Sequence, residues 1–275
     1  MAVDPVELLK ANDVDGALKA LQDKIRADPS NAALRIFLFQ LLCVTGDWKR
    51  AVTQLKLSAE LDALAVPMAQ TYREAIVCEV FREKVFAGEK EPLIFGEPQQ
   101  WVAILIESLK ALAAGKPEVA AELRDKAFDM APTTPGEADG QRFDWIADAD
   151  MRLGPVLEII VNGKYFWMPF NAIDLLKIEE PADLRDAVWT AATVKLRNGG
   201  ECVGLIPTRY PGTGTDPDGA TRLSRATHWA DAGADTFIGT GQRLLATDQG
   251  DLALMDMRSV RMDPVPALEE TAGDG

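Results

Sequence analysis

The sequence predicts an α+β protein in which helical hairpins are followed by a small, mostly antiparallel β domain with a few short helices. Three observations predict this class. A motif recurs at an offset of 34 residues, the tetratricopeptide period. Strand-like apolar runs separated by turn signals fill the second half. A polar, turn-rich stretch lies between them. We therefore expect a tetratricopeptide-like repeat domain at 1–131, a linker at 132–140, an α+β domain at 141–263 and a flexible acidic tail at 264–275.

The repeat is read from residues 12–17 (NDVDGA) and 46–51 (GDWKRA). Gly46 and Asp47 predict a tight turn between antiparallel helices, and Trp48 is expected to pack back on the hairpin. Residues 48–59 carry apolar side chains at helical spacing, whereas residues 36–44 are apolar nearly all round. A helix of the second kind must be buried, which predicts stacking between neighbouring hairpins.

A third copy of the motif is predicted at residues 115–132, preceded by a helix that carries Trp101 and Leu105 on one face. Residues 67–100 depart from the regular array. They predict a helix around 68–87 and then an irregular segment. That segment is either a loop over the concave groove of the repeat or a long connection.

The second half predicts three β-hairpins. Residues 156–161 and 164–168 flank Asn162-Gly163, a dipeptide typical of type I′ turns. The other two hairpins pair 193–196 with 201–206 and 243–247 with 251–257. A short helix at roughly 171–177 and a segment at 184–189 are expected between the first two hairpins.

The composition excludes several classes of partner. The formal net charge is −14, and the chain has no cluster of Lys and Arg of the kind that replaces counterions on nucleic acid. We therefore expect neither nucleic acid nor an anionic membrane as partner. No apolar run is long enough to span a bilayer, and the acidic start lacks the features of a leader peptide, which predicts a cytoplasmic protein. Three widely spaced cysteines, Cys43, Cys78 and Cys202, predict reduced structural thiols.

Arginine is the main basic residue of the second half and lies close to aspartate in the sequence. Because the guanidinium fork pairs bidentately with a carboxylate, this pattern predicts fixed internal ion pairs. The pairs expected from proximity involve Asp148, Asp150 and Arg152, then Arg185 with Asp186, and Arg222 and Arg225 with Asp231.

Catalytic interpretations are weaker. Asp144 and Asp148 are expected to share a helix face, and with Asp150 they offer ligands for a metal or an acid–base pair, but flanking arginines favour ion pairing. His228 is the single histidine and is expected to be a packed imidazole. Glycines at 211–216 and 239–243 lack the Lys and the strand-to-helix context of a phosphate loop, and the first stretch is expected to be a mobile loop. We expect no catalytic residues, no metal and no cofactor.

One polar and aromatic set remains as candidates for partner recognition, because Trp, Tyr and Arg dominate binding hot spots. Together with the aspartates and arginine of the ion-pair pattern, the candidates are Trp145, Asp148, Asp150, Arg152, Tyr165, Trp167, Arg209, Tyr210, Arg225, Trp229, Gln242 and Arg243.

Several motifs in this order resemble the ImpE/TagJ (SciE-like) family of accessory proteins of bacterial type VI secretion systems. They are FDWIADADMRLGP (143–155), GKYFWMPF (163–170), LRDAVW (184–189), IPTRYPG (206–212) and GQR (241–243). The resemblance implies a non-enzymatic, cytoplasmic adaptor. Such an adaptor binds the amino-terminal helix of the small contractile-sheath subunit and influences sheath assembly or recycling by an AAA+ ATPase.

A helical-repeat groove suits capture of an amphipathic helix, so both lines of reasoning favour a protein-binding function. The alternative is an enzyme or small-ligand protein in which Asp148, Asp150, Arg209 and Arg243 line a pocket of the second half. The resemblance implies no catalytic residues.

Overall fold

Seven helices form the first half of the computed structural model, which describes residues 4–264. They are α1 (Pro5–Lys10), α2 (Val14–Ala27), α3 (Ala32–Val44), α4 (Trp48–Leu61), α5 (Val66–Phe86), α6 (Gln100–Ala113) and α7 (Pro117–Met130). The pairs α1–α2, α3–α4 and α6–α7 are the three predicted hairpins. The predicted tail lies, from residue 265, outside the described residues.

The repeat recurs because Asn12-Asp13 and Gly46-Asp47 perform the same two structural tasks. Asn12 and Gly46 have positive φ angles of 63° and 70°, which reverse the chain after α1 and α3. The next residues, Asp13 and Asp47, cap α2 and α4 by accepting hydrogen bonds from backbone amides three residues later. The 34-residue spacing therefore repeats a turn and a helix cap.

The strands form a nine-stranded sheet, a three-stranded sheet and a two-stranded ribbon. The second half supplies all of them except β1 (Leu93–Ile94). Its strands are β2 (Gly136–Ala138), β3 (Gln141–Phe143), β4 (Ile146–Asp148), β5 (Val156–Val161), β6 (Lys164–Pro169), β7 (Ile173–Ile178), β8 (Trp189–Leu196), β9 (Glu201–Pro207), β10 (Thr227–Asp231), β11 (Phe237–Gly241), β12 (Leu244–Thr247), β13 (Gly250–Ala253) and β14 (Ser259–Met262). A short helix, α8 (Gly219–Arg222), precedes β10. The α+β prediction is confirmed.

The large sheet has the order β1-β6-β5-β9-β8-β7-β14-β2-β3, where β1 (Leu93–Ile94) comes from the helical half. Strand β1 runs parallel to β6, and the other described pairings are antiparallel. Strand β4 joins β12 and β13, and β10 pairs with β11.

Four local predictions are wrong. Residues 136–138, expected in the linker, form a strand between β14 and β3. The helix expected at 171–177 is a 3-10 turn followed by β7. Asp144 and Asp148 share no helix face, because Asp148 ends strand β4. The irregular segment after α5 is neither a groove loop nor a plain connection, since it adds an edge strand to the sheet.

One apolar core continues from the helices into the sheet. It joins Phe39, Leu42 and Tyr72 of the helical half to Trp167 and Trp189 of the β half. A second core occupies the other side of the large sheet and includes Leu157, Leu176 and Val260. The helical half is therefore packed directly on one face of the sheet.

The segment between β9 and β10 docks on the turns of the first two hairpins. A side chain at Gly219 would overlap the carbonyl oxygen of Asn12, and a Cβ at Gly214 would lie 3.0 Å from the amide nitrogen of Gly46. The segment expected to be a mobile loop is therefore seated against backbone. This arrangement places the β half against the tight-turn end of the repeat.

Candidate functional site

Five charged side chains form a buried network where α5 meets the sheets, and one of them is Glu79, which pairs with Arg82 on α5. Arg82 donates to both carboxylate oxygens of Glu158, from Nε at 2.6 Å and from Nη2 at 2.8 Å. Arg243, which has no exposed side-chain surface, forms ion pairs with both Glu158 and Asp148. Each guanidinium therefore holds a carboxylate of the β half, and Arg82 ties that half to the repeat.

Tyrosine and tryptophan side chains complete this network. The Tyr165 hydroxyl donates to Glu158 and accepts from Trp167 Nε1 at 2.8 Å. The Tyr210 hydroxyl donates to Asp148 Oδ1 at 3.1 Å and accepts from the amide of Leu244 at 3.0 Å. These groups satisfy polar atoms that would otherwise be costly to bury.

The pKa values of the two central carboxylates, Glu158 and Asp148, are shifted in opposite directions. Burial would raise the pKa of Glu158, but attraction by Arg82 and Arg243 outweighs it and lowers the pKa to about 2. Burial dominates at Asp148, helped by repulsion from Asp150, and raises its pKa to about 7 against the attraction of Arg243. Asp148 is therefore the titratable member of the network near neutral pH.

The carboxylate of Asp150 is also bound by groups within the protein. It accepts hydrogen bonds from Arg152 Nε at 2.8 Å and from the amide of Gly239 at 2.8 Å. Within residues 4–264, no three His, Cys, Asp or Glu side chains are grouped as metal ligands. The carboxylates at 148 and 150 act as ion-pair acceptors, as the arginine pattern predicts for Asp150 and Arg152.

Arg209 and Arg225 reach across to the helical half. Arg209 donates to the carbonyl oxygens of Cys43 and Val44 at 2.6 and 2.7 Å, at the end of α3. Arg225 donates to the carbonyl oxygen of Leu9, near the end of α1, at 2.7 Å. Both guanidiniums donate to carbonyl oxygens at helix ends, where intrahelical donors run out. The carbonyl oxygens of Cys43 and Leu9 also accept from the amides of Gly46 and Asn12. Burial lowers the pKa of Arg209 to about 10.

The four residues of the ligand-pocket alternative do not surround one cavity. Asp148 and Arg243 belong to the buried network, and Asp150 is bound by Arg152 and the Gly239 amide. Arg209 instead lines a cavity of about 80 Å³ beside Trp48. The geometry therefore does not assemble the pocket that this alternative requires.

The predicted ion-pair partners of three arginines are wrong, and so is the predicted packing of His228. Arg185 pairs with Asp183 instead of Asp186, and Arg222 forms a two-pronged pair with Asp15 of α2. Arg225 bonds to α1 instead of Asp231. The partners of Arg222 and Arg225 are distant in the sequence, so proximity could not identify them. Arg185 has an aspartate on either side, and proximity does not distinguish between the two. His228 is exposed on β10.

Gln242 is a positioning residue next to the network. Its amide nitrogen donates to the carbonyl oxygen of Ser224 at 2.7 Å, and its amide oxygen accepts from the amide of Met255 at 3.1 Å. These two bonds fix the chain just before Arg243. Gln242 is thus held inside the fold.

Burial divides the sequence-predicted candidates into two groups, apart from Arg225, which is exposed but bonded to Leu9 of α1. Buried or largely buried side chains fix the fold: Asp148, Asp150, Arg152, Tyr165, Trp167, Arg209, Tyr210, Gln242 and Arg243. Trp145 and Trp229 keep 40% and 39% of their surface exposed. Of the candidates, the two tryptophans offer the largest apolar surface to a partner.

A groove that the sequence reasoning missed lies between α4 and α5. It encloses about 410 Å³ and is lined by Val52, Leu55, Ala59, Val66 and Ala69, with Lys56 and Arg73 beside them. A signal was available in the sequence, because this segment carries apolar residues beyond those needed for the core. They stay exposed: Leu61 by 44%, Leu64 by 89% and Val77 by 59%.

Between residues 4 and 264, no helix combines the length and hydropathy that a membrane span requires.

Comparison with known proteins supports the resemblance. Residues 140–261 match the ImpE protein family, and residues 8–71 match a tetratricopeptide-repeat family. The chain is 52% identical, over 95% of its length and 92% of the relative, to the type VI secretion system accessory component TagJ of Pseudomonas aeruginosa. The crystal structure of protein VPA1032 from Vibrio parahaemolyticus is similar at 25% identity, with a TM-score of 0.87 over 96% of this chain and 99% of that one.

Proposed function

The chain belongs to the ImpE family, and we propose that it is a non-enzymatic accessory protein of a type VI secretion system that binds the amino-terminal helix of the small sheath subunit. Through this helix it influences sheath assembly or recycling by the AAA+ ATPase in the cytoplasm. The accessory role follows from the TagJ relative. The observation that carries helix binding is the apolar groove between α4 and α5.

The shape of this groove suits a helix. Neighbouring packed helices leave a furrow into which a third helix can place side chains at i, i+3, i+4 and i+7. Ala59 and Ala69 are small, so the backbone of an incoming helix can approach closely. Val77 extends the apolar surface along α5 beyond Gln70 and Arg73, which border both this groove and the next depression.

The charges at the groove indicate what kind of helix fits best. Lys56 and Arg73 are exposed at its margin, and Lys56 lies 3.8 Å from Glu60 in an exposed i, i+4 pair. A helix with an apolar stripe and acidic residues beside it would match both features. Because salt screens exposed charges, these two cations attract an acidic helix only modestly at long range.

The test is binding of a fluorescent peptide with the sequence of the sheath subunit's first helix, measured by anisotropy. We expect Val77→Glu to weaken binding by about tenfold or more, because it puts a charge on the exposed apolar surface that extends the groove along α5. Val203→Glu is the matched control, since Val203 is 69% exposed on β9, away from the groove. It should stay within about twofold of the unaltered protein.

Two results would contradict the proposal. One is no binding by the unaltered protein at tens of micromolar peptide. The other is equal weakening by Val77→Glu and Val203→Glu, which would locate the peptide elsewhere or indicate a general charge effect. Thermal melting of both variants shows whether the fold is retained.

A further inference from the structure

The β half presents an apolar surface of its own, which we call the C-terminal aromatic surface: Trp145, Met151, Trp229 and Phe237. Trp145, Trp229 and Phe237 are exposed by 40%, 39% and 45%. Trp145 and Met151 line a groove of about 460 Å³ between the end of α7 and β4. This surface is built from elements other than α4 and α5.

The ribbon β10–β11 continues this surface beyond the groove. Met151 and Phe237 are joined by two hydrogen bonds of 3.2 Å, from the Met151 amide to the Phe237 carbonyl and from the Phe237 amide to Met151 Sδ. In the ribbon, Trp229 pairs with Gly239 and Asp231 pairs with Phe237. Trp229 and Phe237 therefore share one face of the ribbon as a diagonal pair.

Contacts to the buried network hold this surface in place. The Trp229 ring packs on Tyr210 at a centroid distance of 5.6 Å, and Gly239 is fixed by its bond to Asp150. Arg124 of α7 donates to Thr236 Oγ1 at 2.5 Å, which ties the ribbon to the helix beside the groove. A preformed surface loses little conformational entropy when a partner binds.

Exposed carboxylates surround the apolar side chains. Asp129 and Asp144 are next to lining residues in the chain, and Asp231 pairs with Phe237 in the ribbon. Asp235 lies in the turn of the ribbon, and Asp248 accepts a hydrogen bond from the Asp144 amide at 2.7 Å. Within residues 4–264, none of the five takes part in a salt bridge. Nearby Arg124 and Arg152 are bound to Asp125 and Asp150, while Lys126 is exposed.

We propose that the C-terminal aromatic surface binds a second protein through a basic segment that carries apolar anchor residues. The apolar side chains supply contact area, and the surrounding carboxylates match Lys or Arg on the partner. Nucleic acid and anionic lipid are polyanions and would be repelled. A second copy of this chain would bring the same carboxylates against each other.

The probe is a pair of synthetic amphipathic peptides of about 14 residues, roughly four helical turns, with identical Leu positions. One carries Lys at its polar positions and the other carries Glu. We expect the Lys peptide to bind and the Glu peptide not to bind. Trp145→Ala, and separately the double variant Asp144→Asn/Asp231→Asn, should each weaken binding of the Lys peptide by about tenfold.

Two controls separate local recognition from the overall negative charge. Glu179→Gln/Glu180→Gln removes the same number of exposed carboxylates elsewhere and should leave binding unchanged. Val77→Glu should also leave it unchanged, so loss of sheath-helix binding and loss of this interaction are distinguishable. Equal weakening by both double variants would show that binding depends only on the net charge of the protein, and it would overturn the proposal.

Two further outcomes would overturn it. Binding of the Glu peptide with similar affinity would show that the exposed carboxylates do not select a basic partner. A concentration-dependent dimer in sedimentation, abolished by Trp145→Ala, would show that a second copy covers this surface instead.

Discussion

Helix α3 of the helical half and the sheets of the β half bury different kinds of side chain. In the repeat, α3 buries an apolar run from Leu38 to Val44, broken by Gln40. In the β half, Asp148, Asp150, Glu158 and Arg243 are almost completely buried beside the apolar core. Stability in the repeat is spread over many similar contacts, whereas the β half depends on a polar network in which each member needs the others.

This difference also shows that residue type does not indicate where a protein binds. Arg, Tyr and Trp are enriched in hot spots, but Arg243, Tyr210 and Trp167 are buried here and fix the fold. The surfaces that remain available are an apolar groove in the repeat and two exposed tryptophans in the β half. If the buried set is structural, substitutions in it should lower the stability of the fold.

Arg243→Ala is expected to have the largest effect. It leaves Asp148 and Glu158 without a shared guanidinium in a site with no solvent access, so the free energy of unfolding should fall by roughly 3–5 kcal/mol. Arg243→Lys should not restore it, because an ammonium lacks the fork that spans two carboxylates. Urea denaturation followed by tryptophan fluorescence measures both.

Arg142→Ala is the control for this experiment. Arg142 pairs with Asp263 at 2.7 Å through two nitrogens, but its side chain is 60% exposed. Its loss should cost about 1 kcal/mol or less, since exposed ion pairs are weak. A similar cost for Arg142→Ala and Arg243→Ala would show that burial does not govern the strength of these pairs.

Gly219→Ala tests the junction between the two halves. The new methyl group would overlap the carbonyl oxygen of Asn12, so α8 and the first hairpin must move apart. We expect a loss of about 1–3 kcal/mol and faster hydrogen exchange in α1 and α2. Gly200→Ala has no such obstacle beyond Asn198 Oδ1 at 3.1 Å and should change neither measurement. Equal behaviour of the two variants would refute the docking role of Gly219.

Much of the fold could be predicted because its signals are local. The caps at Asp13 and Asp47 and the turn at Asn162-Gly163 lie within a few residues of the elements they determine. Strand β1 could not be found this way, because two residues acquire strand geometry only by pairing with β6. Strand β2 depends likewise on β14, more than a hundred residues later in the chain.

The candidate site was predicted less well, and Glu158 shows why. Sequence proximity pairs an arginine with a neighbouring aspartate, but Glu158 is reached by Arg82 and Arg243 from distant parts of the chain. One signal was available, since a glutamate inside the apolar run 156–161 is costly to bury without a partner. Which arginine provides that partner is a property of the tertiary structure.

Arg209 and Arg225 make the same kind of hydrogen bond and differ in burial, so they show how burial affects its strength. Both donate to carbonyl oxygens near the ends of helices, but Arg209 is 4% exposed and Arg225 is exposed. Arg209→Ala removes the buried donor to the carbonyl oxygen of Val44 and should cost about 1–3 kcal/mol. In Arg225→Ala water can replace the guanidinium, so the expected cost is below about 1 kcal/mol. The reverse order in urea denaturation would contradict this explanation.

Asp148→Asn should change how the free energy of unfolding depends on pH. Because the pKa of Asp148 is about 7 in the folded protein and ordinarily 3.8, the folded state binds more protons between these values. The Asp148 contribution to stability is therefore fully present below about pH 4 and is lost as the pH rises through 7. Glu158 behaves oppositely, since its stabilisation is present above about pH 4.5 and is lost as the pH falls towards 2.

Urea denaturation at about pH 5 and pH 8 isolates the Asp148 contribution, because Glu158 stays ionised at both values. The unaltered protein should lose stability towards pH 8 more steeply than Asp148→Asn, by an amount on the order of 1 kcal/mol per pH unit at most. The asparagine retains an oxygen that can accept from Tyr210 but does not titrate. Parallel pH profiles for the two proteins would mean that Asp148 stays ionised throughout this range, with attraction by Arg243 outweighing burial as it does at Glu158.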